Sequence, residues 1–365
     1  MAGCSAYGSS SEVALFYAPD PDPTLDLATD TKFMQVPMTG ESLDASLSST
    51  ISDQITPQRS YANSKLSQGE VGGSFSFEAV AGEFLRNMLI ASLQANNTLA
   101  VESTASDWVS GGNIKNGSTK KCLCFLKRVN TTSGYDLYLF RGCQISSMSL
   151  NMEPGNLITG DISIMGTGLG YPLDGDAADG PAIQVWEGQN TTGTASRTNP
   201  LGTGGWDLDT DGFGIDGDLM SGVDSLSAFT VSNSGGDMGL IAQSVSLTFD
   251  NQLRQQFAVG TNNIFAAGVA SGRFMASMSV SAYYSNPKIY QSFTTDEDLS
   301  VTFSLVADNA DDDAQTLAFT FGKCKITSGS SPLAGGPDQD LLISTEIRAF
   351  EDATTGTAQV GLTIA

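Results

Sequence analysis

Apolar and polar residues alternate with period two along most of the chain, the pattern of half-buried strands. Phe274, Ala276, Met278, Val280 and Ala282 form one face of such a run, with mostly small polar residues between them. Ser285-Asn286-Pro287 then breaks it, because proline removes a ladder donor and fixes φ. Ile289, Tyr290 and Phe293 follow at about one helical turn, which predicts a short amphipathic helix. A new strand is expected over Leu299–Val306. The unit is strand, short helix, strand.

The same unit stands in the first half. Gly73–Ala79 alternates like a strand, Glu83–Gln94 has the apolar spacing of a helix, and Lys121–Arg128 is the strand after it. The echo continues: Phe140-Arg-Gly-Cys143-Gln-Ile145-Ser-Ser147 lines up with Phe321-Gly-Lys-Cys324-Lys-Ile326-Thr-Ser328. This order points to an internal duplication with long insertions. Further strands are expected at Tyr135–Arg141, Cys143–Met152, Leu157–Thr167, Gln243–Asp250, Thr316–Phe321, Leu341–Phe350 and Thr357–Ile364, while 61–72 and 95–119 read as polar loops.

These elements divide the chain into an N-terminal arm (1–35), a first domain (36–171), an acidic, glycine-rich insertion or linker (172–241) and a second domain (242–365). In the arm, a short apolar run at Glu12–Tyr17 precedes the stiff Pro19-Asp-Pro-Asp-Pro23 break. It suits packing on a neighbouring copy, or a disordered or self-packed terminus. The fold class expected is mainly β, with two similar β-sandwich or barrel domains, each carrying one short helix.

The chain has 365 residues, 40 of them glycine, and only 16% of its residues are charged. That suits short strands and many turns. No apolar run approaches the ~20 residues that span a bilayer, and no basic region leads into an apolar core at the N-terminus, so neither membrane insertion nor a signal peptide is expected.

Net charge is −23. This argues against gripping nucleic acid by its phosphates, which requires Lys and Arg. It fits a surface that DNA passes without sticking. The five cysteines are an odd number, and Cys122 and Cys124 face the same side of one strand, so reduced thiols from a cytosol are expected. There is no histidine. That removes Ser-His-Asp and Cys-His nucleophilic catalysis, and no pair of carboxylates stands out for glycoside chemistry. An enzyme is not expected.

Residues 172–238 hold 11 acidic residues and a single basic one, Arg197. Within them Asp207, Asp209, Asp211 and Asp218 fall at positions 1, 3, 5 and 12 of a calcium loop, with Gly212 at position 6. Against calcium, position 12 lacks the bidentate Glu and the preceding Pro200–Trp206 cannot be a helix. A solvated acidic loop is the other reading, and no cofactor is assigned.

Taken in order, the residues resemble the two-domain major tail tube proteins of long-tailed, non-contractile bacteriophages. The resemblance lies in Glu41-Ser-Leu with Pro57-Gln-Arg59, the Gly73–Leu93 unit, the Phe140–Gly166 strands, Val245–Leu253, Gly272–Tyr290, and Pro332-Leu-Ala-Gly through Ala349-Phe-Glu-Asp352. It covers most of the chain outside 1–35 and 172–238. It implies a structural virion protein, assembled in the host cytoplasm, whose rings stack into a tail tube that conducts DNA during ejection. A duplicated chain implies homotrimeric, pseudo-six-fold rings, with a homohexamer as the alternative. The tail tip, tape measure and tail terminator proteins are the partners implied. Two other readings stand beside it: a calcium-dependent secreted β-sandwich that binds or adheres, and another tail component on the same fold.

Overall fold

The computed structural model describes residues 13–22, 27, 31–54, 61, 63–99, 112–131, 134–168, 185–186, 207–208, 219–259, 265–306, 316–329, 331, 340–352 and 359–364. It is mainly β, with two short helices and large antiparallel sheets.

The first half holds β1 (Val13–Pro19), β2 (Lys32–Gln35), β3 (Met38–Glu41), β4 (Asp44–Ile51), β5 (Ser64–Glu78), α1 (Glu83–Ser92), β6 (Gly112–Lys115), β7 (Leu123–Thr131), β8 (Gly134–Met152) and β9 (Thr159–Gly166). Two short strands follow, β10 (Val185–Trp186) and β11 (Asp207–Leu208). Then come β12 (Leu226–Asn233), β13 (Gly236–Asp237), β14 (Ile241–Asp250), β15 (Arg254–Gln256), β16 (Gly268–Ala270), β17 (Met275–Tyr283), α2 (Lys288–Thr295), β18 (Leu299–Val306), β19 (Thr316–Gly329), β20 (Leu342–Ala349) and β21 (Gly361–Ile364).

One long sheet runs through both halves. Strands β3 and β4 lie one after the other along β5, and β5 continues through β9 to the C-terminal part of β8. There β14 joins, followed by β17, β20 and the C-terminal part of β19. The N-terminal parts of β8 and β19 leave the long sheet and enter two cover sheets. The first cover is β2-β1-β7-β8-β10, with β11 parallel to β2. The second is β13-β12-β18-β19-β21-β6.

Alternation decides what is buried between long sheet and cover. Phe75 and Phe77 of β5, Ile162 of β9, Met148 and Leu150 of β8, and Val245, Leu247 and Phe249 of β14 all point into one core. Phe75 meets Phe125 of β7 at 5.6 Å between ring centroids, joining long sheet to cover. Helix α1 plugs the first core: Phe84 sits edge-on to both Tyr17 of β1 and Phe77 of β5. A smaller core on the outside of the first cover gathers Phe16, Phe33, Cys124, Leu126, Leu137 and Leu139, with Leu208 packed against it.

The passage of β8 between sheets is pinned by charge. Asp20, just after β1, receives two hydrogen bonds from the Arg141 guanidinium, at 2.7 and 3.1 Å, and one from the Gly142 amide at 3.2 Å. Gly142 takes φ +59°, a left-handed conformation natural to glycine.

Within the expected arm, Val13–Pro19 is a full partner of β7 and carries the buried Leu15, Phe16 and Tyr17. The stretch 61–72, expected as a loop, is instead largely the outer part of β5, laddered to β4. Ser46–Ile51 and Ser64–Ser67 of that hairpin are exposed on both faces, so burial imposes no alternation on their sequence. Within the acidic segment, β12 pairs with β18 and so belongs to the second cover.

Candidate functional site

Three features of the long sheet bear on function: its uncovered face, its repeated bulges and its two ends. The uncovered face consists of rows of aligned side chains. One row reads Glu78, Thr159, Asn151, Ser246, Ser279, Glu346 and Ser328, crossing seven strands. The next reads Ser76, Asp161, Ser149, Thr248, Ser277, Arg348 and Lys325. A third holds Ser74, Ser163, Ser147 and Asp250. The face is therefore hydroxyl-rich, with carboxylates at Glu78, Asp161, Asp250 and Glu346. Lys325 is engaged by Asp296 at 2.6 Å and by Asp298, and its hydrogen bond to Asp296 raises its pKa. The hydroxyls are tied down locally, Ser76 to Asp161 and Ser246 to Asn151.

The second feature is a repeated set of bulges. Bulges interrupt the ladder at Leu123/Phe125 against Cys143 and Phe140, and at Leu299/Val301 against Cys324 and Phe321. They recur at Ile145/Ser147 facing Ile164 and Ser163, and at Ile326/Ser328 facing Ile347 and Glu346. A third pair lies at Met38/Gly40 against Phe77 and Ser76, and at Ala242/Ser244 against Ala282 and Ser281. Bulges are positional features of a ladder, and these place Ser147 opposite Ser163 as Ser328 lies opposite Glu346.

The third is the ends. The seam between halves is the β8–β14 ladder, Ser147↔Asp250 through Met152↔Val245. Beyond it, among the described residues, no strand pairs with the outer edge of β3–β4 or with the outer edge of Lys325–Gly329. The β4–β5 hairpin exposes Leu47 (40%), Ile51 (51%), Leu66 (51%) and, near its tip, Tyr61 (77%). Helix α1 is buried along nearly its whole length, whereas α2 buries only Ile289 and Ser292 and leaves Tyr290 exposed.

Four cysteines lie among the described residues, with Cys124, Cys143 and Cys324 buried and Cys122 partly so. Burial pushes Cys324 up to about 12, and raises Cys143, Cys124 and Cys122 above the ordinary thiol range, with Asp20 adding to the effect on these three. A protonated buried thiol is a poor nucleophile.

Of the calcium-loop residues, Asp207 lies on β11, its backbone paired with Lys32 of β2. Asp209, Asp211 and Asp218 lie outside the described residues. The rows of serines were not foreseen. Their signal was present in Ser74-x-Ser76 and Ser277-x-Ser279-x-Ser281, but row alignment requires the register.

Residues 10–349 match the family described as "Phage tail tube protein". The chain belongs to this family. It is a structural protein of a phage tail. Among solved structures, the anti-feeding prophage cap (AFP tube terminating cap) shares 15% identity, covering 38% of this chain and 88% of that one, at a TM-score of 0.26. That likeness is too weak to bear on fold or function. No curated protein matches the chain. Among the described residues of this tail tube family member, no helix is long and apolar enough to cross a membrane.

Proposed function

We propose that the chain is the repeating subunit of a phage tail tube, arisen by internal duplication. Three copies join head to tail into a pseudo-six-fold ring, rings stack, and DNA passes through the channel during ejection. The tail tip, tape measure and terminator proteins are its partners at the ends and inside, and no catalytic step or cofactor is part of this reading.

The observation that carries the reading is the β8–β14 seam. It joins, edge to edge, two half-sheets that share strand order and three bulge positions, while among the described residues no strand pairs with the far ends of the combined sheet. Open edges normally invite aggregation unless they are blunted. Closure into a ring removes them, because heterologous contacts that repeat by a fixed rotation close on themselves.

The face with the serine rows suits the channel wall. Hydroxyls and carboxylates dominate these rows, Lys325 is held by Asp296 and Asp298, and Arg348 is the remaining cation in them, so phosphate finds little Lys or Arg to bind there, and the net charge of −23 repels DNA as a whole. The test is a variant with Ser149→Lys, Ser246→Lys and Ser279→Lys. Assembled variant is expected to retain short double-stranded DNA at low salt, and assembled wild type to release it. Retention by wild type, or release by the variant, contradicts this placement of the wall.

A further inference from the structure

We infer that the open edge of β4 in one copy pairs antiparallel with Thr327–Gly329 of β19 in a second copy, in the register by which β14 pairs with β8. This rests on the assembly reading and deepens it by naming the seam.

The intrachain seam supplies the template. The shared bulges make β3–β4 the counterpart of β14, with Gly40 at the place of Ser244 and Asp44 at that of Thr248. They make Ser328 the counterpart of Ser147. Asp250↔Ser147 then becomes Ser46 against Ser328 of the second copy. The Asn251 amide, which donates to Ser146 O at 2.8 Å, becomes Leu47 N–H donating to Thr327 O of the second copy.

The hairpin beyond the edge follows the same rule. Thr50↔Lys65 and Ile51↔Ser64 correspond to Arg254↔Ala270 and Gln255↔Val269. In the second half this hairpin folds over the first: Gln255 donates to Val71 O and Gly166 O, and Lys120 donates to Val269 O. In the first-half counterpart, Ile51 is half exposed among the described residues. On a second copy, the same register sets Ile51 over β17 and β20, as Gln255 lies over β5 and β9.

The chemistry of the two edges points to a second copy and not to another partner. In a chain of charge −23, Ala45–Ile51 and Thr327–Gly329 carry no charge at all, so copies meet there without repulsion. Protective charge is what edge strands usually display.

The test is disulfide trapping with Ser46→Cys/Ser328→Cys. Because Asn251 and Ser146 are the hydrogen-bonded pair, the neighbouring pair is non-hydrogen-bonded, with Cα atoms about 4.5 Å apart, inside disulfide range. Assembled protein under mild oxidation is expected to give a ladder ending at the ring's own number of chains. Ser48→Cys/Ser328→Cys, two residues out of register, is expected to trap at least tenfold less. Assemblies that form without this cross-link, or that trap both pairs equally, overturn the seam and leave the tube reading standing. A chain that stays single at every concentration and never cross-links overturns both.

Discussion

The side-chain amide of Asn251 donates to the carbonyl of Ser92 at 2.8 Å, linking the residue just after β14 to the last residue of α1. The same amide donates to Ile145 O at 2.9 Å. Carbonyls in the last turn of a helix have no partner within it, and this one is capped from 159 residues away. Asn251→Ala removes both of these buried bonds and is expected to cost about 1–3 kcal/mol. A urea titration reads this as a lower midpoint at unchanged slope.

The Asp20–Arg141 pair is buried and bidentate. Breaking it from one side strands a charge in the core, which costs about 3–5 kcal/mol. Arg141→Met is therefore expected to destabilise strongly, and Asp20→Leu/Arg141→Met less than Arg141→Met alone. Denaturation of the single and double variants checks the sign of the coupling.

Alkaline pH tests the thiols. Cys324 is raised from 9.0 to about 12, and Cys143, Cys124 and Cys122 are raised too, with desolvation as the leading cause in each. Between those values the folded chain holds protons that the unfolded chain has lost, so stability is full below pH 9 and falls as pH rises towards 12. Midpoints measured at pH 8 and pH 10.5 are expected to drop. Cys→Ser variants at 143 and 324 are expected to flatten the drop.

The exposed hairpin separates stability from assembly. Ile51 and Leu66 are each half exposed in the single chain, so Ile51→Glu/Leu66→Glu is expected to shift folding by no more than about 0.5 kcal/mol per site. It is expected to abolish association. Calorimetry and analytical ultracentrifugation on one sample check both halves of this statement.

Much of the architecture was legible from local pattern. The apolar spacing of Glu83–Gln94 became α1 at Glu83–Ser92, and the alternation of Gln243–Phe249 became the core of β14. The echo of Phe140–Ser147 in Phe321–Ser328 was legible as well. The two stretches occupy matching ladder positions, and the bulges fall at the same residues. The outer part of β5 was not legible, because Ser64–Ser67 buries neither face and so carries no period. Nor were the serine rows: Ser246, Ser279 and Asn151 become neighbours through pairings between distant strands, and register is a tertiary property.

The most direct measurement is electron microscopy of the purified, concentrated protein with rotational averaging. Rings or tubes of uniform diameter, each ring built from three chains and showing pseudo-six-fold density, are the expected result. Rings of six chains would contradict the ring number, and single-chain particles at every concentration would contradict the tube itself.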